Sequence, residues 1–226
     1  MEQLLPWERL LKKILWAQLG DIRGRVILDF GSGLGVTASQ YAKYNQVTAI
    51  EPCAESVSQR YVENAYSQIV GGLDELESDS FDVIFCHNVL EYTLEREQII
   101  KEFYRLLKQG GMLSIVKHNR CGRIMMEAVL HNSFENVNAL LDGNETITSK
   151  FGTIHYYDDT DIVKWSNNGL IISNVYGIRT FWDLQHNQDI QNDADWQRNM
   201  MQIEMRVSEH ESFRAIAFFH HIIMNK

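Results

Sequence analysis

One stretch constrains this chain more than any other: Val26-Ile27-Leu28-Asp29-Phe30-Gly31-Ser32-Gly33-Leu34-Gly35-Val36. A short apolar run breaks into alternating glycines and resumes as Val36-Thr37-Ala38-Ser39-Gln40-Tyr41-Ala42, the pattern of a buried strand, a tight turn and a helix start. Glycine is needed where backbone takes positive φ or lies directly against a ligand, because a Cβ would clash. The helix behind the turn begins with unpaired N–H groups. Such a turn cradles a ligand.

Spacing excludes three kinds of ligand-binding turn. A P-loop needs Lys and then Ser or Thr after its last glycine, where Val36 and Thr37 stand. The dinucleotide fingerprint needs glycine in place of Val36. A nucleophile elbow around Ser32 needs glycines in place of Phe30 and Leu34. The pattern that remains, Asp29-x-Gly31-x-Gly33-x-Gly35, resembles motif I of the class I S-adenosylmethionine (SAM) methyltransferases. That resemblance implies SAM as cofactor, its amino-acid part over Gly31, Ser32, Gly33 and Gly35 and its ammonium held with help from Asp29. The next apolar strand, Val47-Thr48-Ala49-Ile50, ends in Glu51 and Pro52, with Glu51 twenty residues beyond Gly31. A carboxylate there accepts two hydrogen bonds from a ribose diol. Nicotinamide enzymes use the same device, so Glu51 points to a nucleoside without choosing which.

The length, 226 residues, fits a single α/β domain over 1–226. No apolar run approaches the ~20 residues of a membrane span, and the N-terminus lacks a signal pattern. A cytoplasmic protein without a membrane partner is expected. Cys53, Cys86 and Cys121 are odd in number and far apart, so neither a disulfide framework nor a zinc site follows. None of the eight histidines has a metal partner at ligand spacing, and no metal is expected. The net charge is −9. Nucleic-acid binders neutralise phosphates, so any RNA contact must be local.

Along the chain, residues 1–20 place Leu4, Trp7, Leu11, Ile14 and Leu15 opposite Arg9, Lys12 and Lys13. This is an amphipathic helix whose basic face is either solvated or an anion contact. After strand 46–51 a helix is expected from about Ala54 to Ser67, then a short strand opening into Gly71-Gly72-Leu73-Asp74. In the resembled family this loop lies on the adenine, which implies recognition by the backbone of Gly72 and Leu73 with Asp74 beside it. Phe81-Asp82-Val83-Ile84-Phe85-Cys86-His87 reads as a strand buried on both faces. The resemblance sets His87 beside the sulfonium, lining the cofactor or orienting the substrate; a buried structural histidine is the alternative. A helix over 94–108 leads to Leu106-Leu107-Lys108-Gln109-Gly110-Gly111-Met112-Leu113, which resembles the family's L-x-P-G-G-x-L with Gln109 for proline.

The expected fold is α/β, a doubly wound, Rossmann-like, seven-stranded methyltransferase sheet with ligands at the carboxyl ends of its strands. A helical lid insertion, 118–160, falls between strands five and six and includes a polar loop over 142–153. A helix over 158–168, strand six over 170–179, an amphipathic helix over 193–210 and an antiparallel seventh strand over 213–224 complete it. Arg179 and Trp182 are expected to face the cleft.

The chain further resembles the bacterial tRNA carboxymethoxyuridine methyltransferases, which esterify the acid of a wobble uridine. The matching pieces are Ile14-Leu15-Trp16, Phe85-x-His87-x-Val89-Leu90-Glu91, Asn119-x-x-Gly122, Phe134-x-x-Val137 and Gly177-Ile178-Arg179-x-Phe181-x-Asp183. Unlike that family, the stretch from Leu141 to Lys150 is not basic and the N-terminal extension is short. An acceptor carboxylate is ionised at neutral pH, with a pKa of about 4, and needs no general base. It needs a cation. The expected one is Arg179, a fork-shaped donor, with Tyr92, His118 or Asn119 assisting; an ion pair on the cleft rim is the other reading. The acceptor is a tRNA nucleoside or a small metabolite. A non-catalytic SAM-binding module and a nicotinamide dehydrogenase are the rival functions.

Overall fold

Four β-branched or large apolar residues, with Asp29 set among them, carry the chain into the core as β1 (Val26–Phe30), in which Ile27 and Leu28 are fully buried. The structure, a computed structural model, describes residues 4–148 and 152–226. Before β1 comes α1 (Pro6–Leu19), started by Glu8 accepting from the Leu5 N–H at 2.8 Å and ended by Gly20 at φ +70°. After it follow α2 (Val36–Ala42), β2 (Gln46–Ile50), α3 (Ala54–Ser58), β3 (Ser67–Ile69), β4 (Phe81–His87), α4 (Arg96–Leu106) and β5 (Leu107–His118). Next are α5 (Arg120–Met126), α6 (Phe134–Leu141) and the strands β6 (Thr146–Thr148) and β7 (Gly152–Ile154). The chain closes with α7 (Asp159–Trp165), β8 (Ile171–Ile178), α8 (Gln188–Asn192), α9 (Ala194–Val207), α10 (Glu211–Arg214) and β9 (Phe219–Asn225).

Among the described residues the main sheet has seven strands in the order β3-β2-β1-β4-β5-β9-β8. β1 pairs in parallel with β2 (Asp29 opposite Ala49) and with β4 (Asp29 opposite Phe85). The Gly110 N–H donates to Lys226 O and the Asn119 N–H to Phe218 O, so β9 runs antiparallel to β5. This is the expected doubly wound sheet. Its order reverses between β1 and β4, and ligand crevices open at the carboxyl ends beside such a reversal.

By its contacts the chain falls into two compact units. One draws described residues from 21–116, 157–174 and 222–226. Its core is built on Ile27, Leu28, Ile50, Ile84, Phe85 and Phe103. The other draws them from 1–20, 117–156 and 175–221 and centres on Ile14, Leu15, Leu140 and Trp182.

Four expected elements differ in extent, each for a visible reason. The helix over 54–67 stops at Ser58, because the Tyr61 N–H donates to Leu34 O at 2.7 Å and the Glu63 and Asn64 N–H groups turn to Ser39 Oγ. The helix over 94–108 ends at Leu106, and Gly110 and Gly111 sit inside β5, held by reciprocal bonds to Lys226. The polar loop over 142–153 contains the antiparallel pair β6–β7, with Thr146 opposite Ile154; its residues 149–151 lie outside the described ones. Arg120 closes that insert, reaching Leu140 O and Asn144 O and lying 4.6 Å over the Tyr156 ring. The seventh strand starts at Phe219, because Arg214 and Ala215 bond back to His210 and Glu211 as α10.

Candidate active site

Where β1 ends, the backbone is stitched to the end of β2. Ile50 O accepts from the Gly31 and Ser32 N–H groups at 2.9 and 3.0 Å. The Gly33 N–H donates to Glu51 Oε2 at 2.8 Å, while the other carboxylate oxygen takes the Cys53 N–H at 3.0 Å. Glu51 is therefore pinned against the glycine turn by its side chain. Its own N–H donates to Ile69 O at 3.1 Å, which brings the 70–74 loop to the same edge. Leu73 in that loop is buried, and its carbonyl accepts from Leu76 in a turn.

The three glycines of the turn serve different ends. All have positive φ: +69° at Gly31, +53° at Gly33 and +71° at Gly35. A Cβ on Gly31 would run into the Val89 side chain, and one on Gly35 into the Tyr66 hydroxyl. At Gly33 nothing stands within 4 Å of where a Cβ would be. Only Gly33 borders open space. Beside it the buried Ser32 Oγ has no hydrogen-bond partner among the described residues, and the Asp29 carboxyl is buried at the strand end.

On the other side of β1, the end of β4 carries His87. Its Nε2 shares a 2.9 Å hydrogen bond with Ser114 Oγ, and its ring stacks on Phe85 at 5.4 Å. Asn88 follows at φ +57°, a left-handed conformation that asparagine tolerates better than most residues. Its N–H reaches Val116 O, and its buried Oδ1 has no partner among the described residues. The sequence reading gave neither Asn88 nor Val89 a role of its own, although Val89 stands in the matching piece Phe85-x-His87-x-Val89-Leu90-Glu91. Tyr92 is half-buried, its N–H bonded to Val89 O, and Glu91 beside it is buried.

Arg179, His118 and Asn119 lie in the other compact unit. Arg179, at φ +62° and 7% exposed, grips Asp183 through Nε and Nη2. Its guanidinium lies 4.7 Å from the Trp7 ring and 4.8 Å from that of Phe218. Rather than facing an open cleft, Arg179 and Trp182 are both buried, the latter against Trp196 at 4.8 Å. His118 packs on Phe219 at 4.8 Å; burial, and then the positive charges of Arg123, Arg179 and Lys117, push its pKa down to about 3. It is neutral at pH 7. Asn119 caps α5 and donates both amide hydrogens, to Ala215 O and Ala217 O. Gly122 packs on the Ala217 carbonyl, where a Cβ would collide.

A methyltransferase domain family matches residues 28–115, the span that holds the glycine turn, Glu51 and His87. The chain is an S-adenosylmethionine-dependent methyltransferase. Over its whole length the methyltransferase is 24% identical to the tRNA 5-carboxymethoxyuridine methyltransferase of Escherichia coli O157:H7, covering 88% of that protein. It is 29% identical over 171 residues to the ubiquinone biosynthesis O-methyltransferase of Xanthomonas oryzae, covering 70% of this chain and 67% of the relative. Among solved structures it resembles a SAM-dependent methyltransferase from Mesorhizobium loti, with a TM-score of 0.62 at 14% identity over 96% of this chain and 98% of that one.

SAM is the cofactor of this methyltransferase, and the residues present suit it. The open face of Gly33, the unpartnered Ser32 Oγ and the buried Asp29 offer a place for an amino acid's ammonium and carboxylate. The Glu51 carboxylate keeps lone pairs for a diol after accepting two N–H groups. Among the described residues no cluster of three His, Cys, Asp or Glu is arranged to hold a metal ion, and no helix is long and apolar enough to cross a membrane.

Proposed function

We propose that the methyltransferase esterifies a carboxylate, and that this carboxylate belongs to a modified wobble uridine of tRNA. The supporting observation is the reach of the likeness to the tRNA 5-carboxymethoxyuridine methyltransferase, which takes in all of this chain, including the stretches carrying Asn119 and Arg179. SAM, when bound, supplies a methyl group already activated by its positive sulfur. The chain's own part is alignment and charge. Asp29, Gly31, Ser32, Gly33 and Gly35 hold the amino-acid end, Glu51 and Pro52 the ribose edge, and Gly72, Leu73 and Asp74 the base. His87, fixed by Ser114, lines the reacting end.

The acceptor carboxylate is ionised at neutral pH and requires no base. Arg179 is its cation. Asp183 takes two of its five guanidinium N–H donors, through Nε and Nη2. The neutral His118 and Tyr92 assist by hydrogen bonding, and Asn119, its amide hydrogens committed to Ala215 and Ala217, by shape. A small-metabolite acid is the second reading, favoured by the net charge of −9.

The test is transfer of label from methyl-labelled SAM to total tRNA and to a metabolite extract offered side by side. Label in the tRNA fraction, released by mild alkali as an ester yields, is the expected result. Label confined to small molecules, or alkali-stable label in tRNA, overturns the wobble-ester reading.

A further inference from the structure

A groove of about 780 Å³ runs between α1 and α9. Lys13, Arg198 and Arg206 line it around a floor of Leu10, Met201 and Met205, and no carboxylate is among its lining residues. That is notable in a chain of net charge −9. Arg198 has a partner in Asp195, but the two side chains are 64% and 76% exposed, a pairing of the weak, exchangeable kind. The one buried carboxylate of α9, Glu204, is turned to the backbone N–H groups of residues 180–182. On α1, Arg9 stands four residues before Lys13, which places the two along one side of the helix.

We infer that this groove grips the phosphate backbone of an RNA acceptor, an inference that rests on the tRNA reading above. A chain this acidic has to concentrate its RNA contact in one place. Arginine serves twice there, since its fork matches a phosphate and its plane stacks on a base. The apolar floor then meets ribose and base faces between phosphates. An acidic helix from a protein partner would also be attracted. The cations, however, extend from Lys13 one turn along α1 to Arg9, beyond the groove's own lining, as a repeating anion requires and a single apolar-faced helix does not.

The experiment measures binding of the full chain to total tRNA by fluorescence anisotropy across a KCl series, comparing wild type with R198E/R206E and the milder R198Q/R206Q. Calorimetry with SAM runs in parallel. The expected outcome is tRNA affinity weakened about tenfold or more by the charge reversal. The slope of log K against log salt should also shrink by about 1.4 to 1.8, two phosphate contacts' worth. SAM binding should be unchanged. If wild type and both variants bind tRNA alike, the groove assignment falls while the tRNA reading stands. If wild type binds no tRNA even at low salt, both fall. A synthetic Leu/Glu amphipathic helix that binds wild type, loses binding in R198E/R206E and is not displaced by tRNA would overturn the RNA assignment in favour of a protein partner.

Discussion

Gly33 and Glu51 form the pair on which the proposed cofactor binding turns, and each has a distinguishable variant. G33A meets no neighbour but puts a Cβ on a left-handed residue, a strain of about 1–2 kcal/mol. It should fold and lose SAM affinity by calorimetry. G31A and G35A push a methyl group into Val89 and Tyr66, and their main loss should be in thermal stability. Equal behaviour of all three would sink the division of labour. E51A leaves the part-buried Gly33 N–H without its acceptor, at about 1–3 kcal/mol, and turns the exposed Cys53 N–H to water. SAM binding should weaken in step. At Arg179, R179K keeps the charge and loses the fork. With a charge-assisted hydrogen bond worth about 1.5–3 kcal/mol, kcat/KM for the acceptor should fall tenfold or more with SAM affinity unaltered; an unchanged kcat/KM would remove Arg179 from the acceptor's company.

Two elements are held by buried groups whose charge state can be tested. The carboxylate of Glu204 on α9 collects the N–H groups of Thr180, Phe181 and Trp182 at 2.8–3.0 Å, fixing the turn after β8. E204A should destabilise the chain by several times the ~1 kcal/mol of a typical single hydrogen bond. His221 on β9 pairs its Nδ1 with Gln18 of α1 at 2.8 Å, and burial holds its pKa down at about 3. Between pH 6.5, the ordinary value, and about 3, the unfolded chain takes a proton that the folded one refuses. Stability therefore drops as pH falls through that window, by up to about 1.4 kcal/mol per pH unit for each such histidine. His118 acts in the same direction. Urea midpoints at pH 7 and pH 5 should differ less in H221Q than in wild type. An equal or larger difference would refute the buried neutral state.

At the scale of the molecule, SAM at a hundredfold excess over its dissociation constant adds about 2.7 kcal/mol. For a chain of this size that raises Tm by about 5 °C or more. NAD should leave Tm unmoved; the reverse pattern would restore the dehydrogenase reading. The strand edges and the glycine turn were legible in the sequence because apolar runs and glycine spacing are local properties. What escaped is set by long-range contact. Tyr66 ends up behind Gly35, and Ser39 draws residues 63 and 64 out of a helix, neither of which a local pattern announces. The Asn119-x-x-Gly122 and Arg179-x-x-x-Asp183 spacings were visible, yet only the folded chain gives them physical content, as a cap seated on Ala217 and a carboxylate clasp.

The double clasp on Glu51 also bears on how the cofactor arrives. With both carboxylate oxygens already anchored to main-chain amides, the cradle stands assembled beforehand, and little further ordering accompanies occupancy. In deuterated buffer the Gly33 and Cys53 amide protons should therefore exchange slowly even in cofactor-free protein, and adding SAM should slow them only modestly.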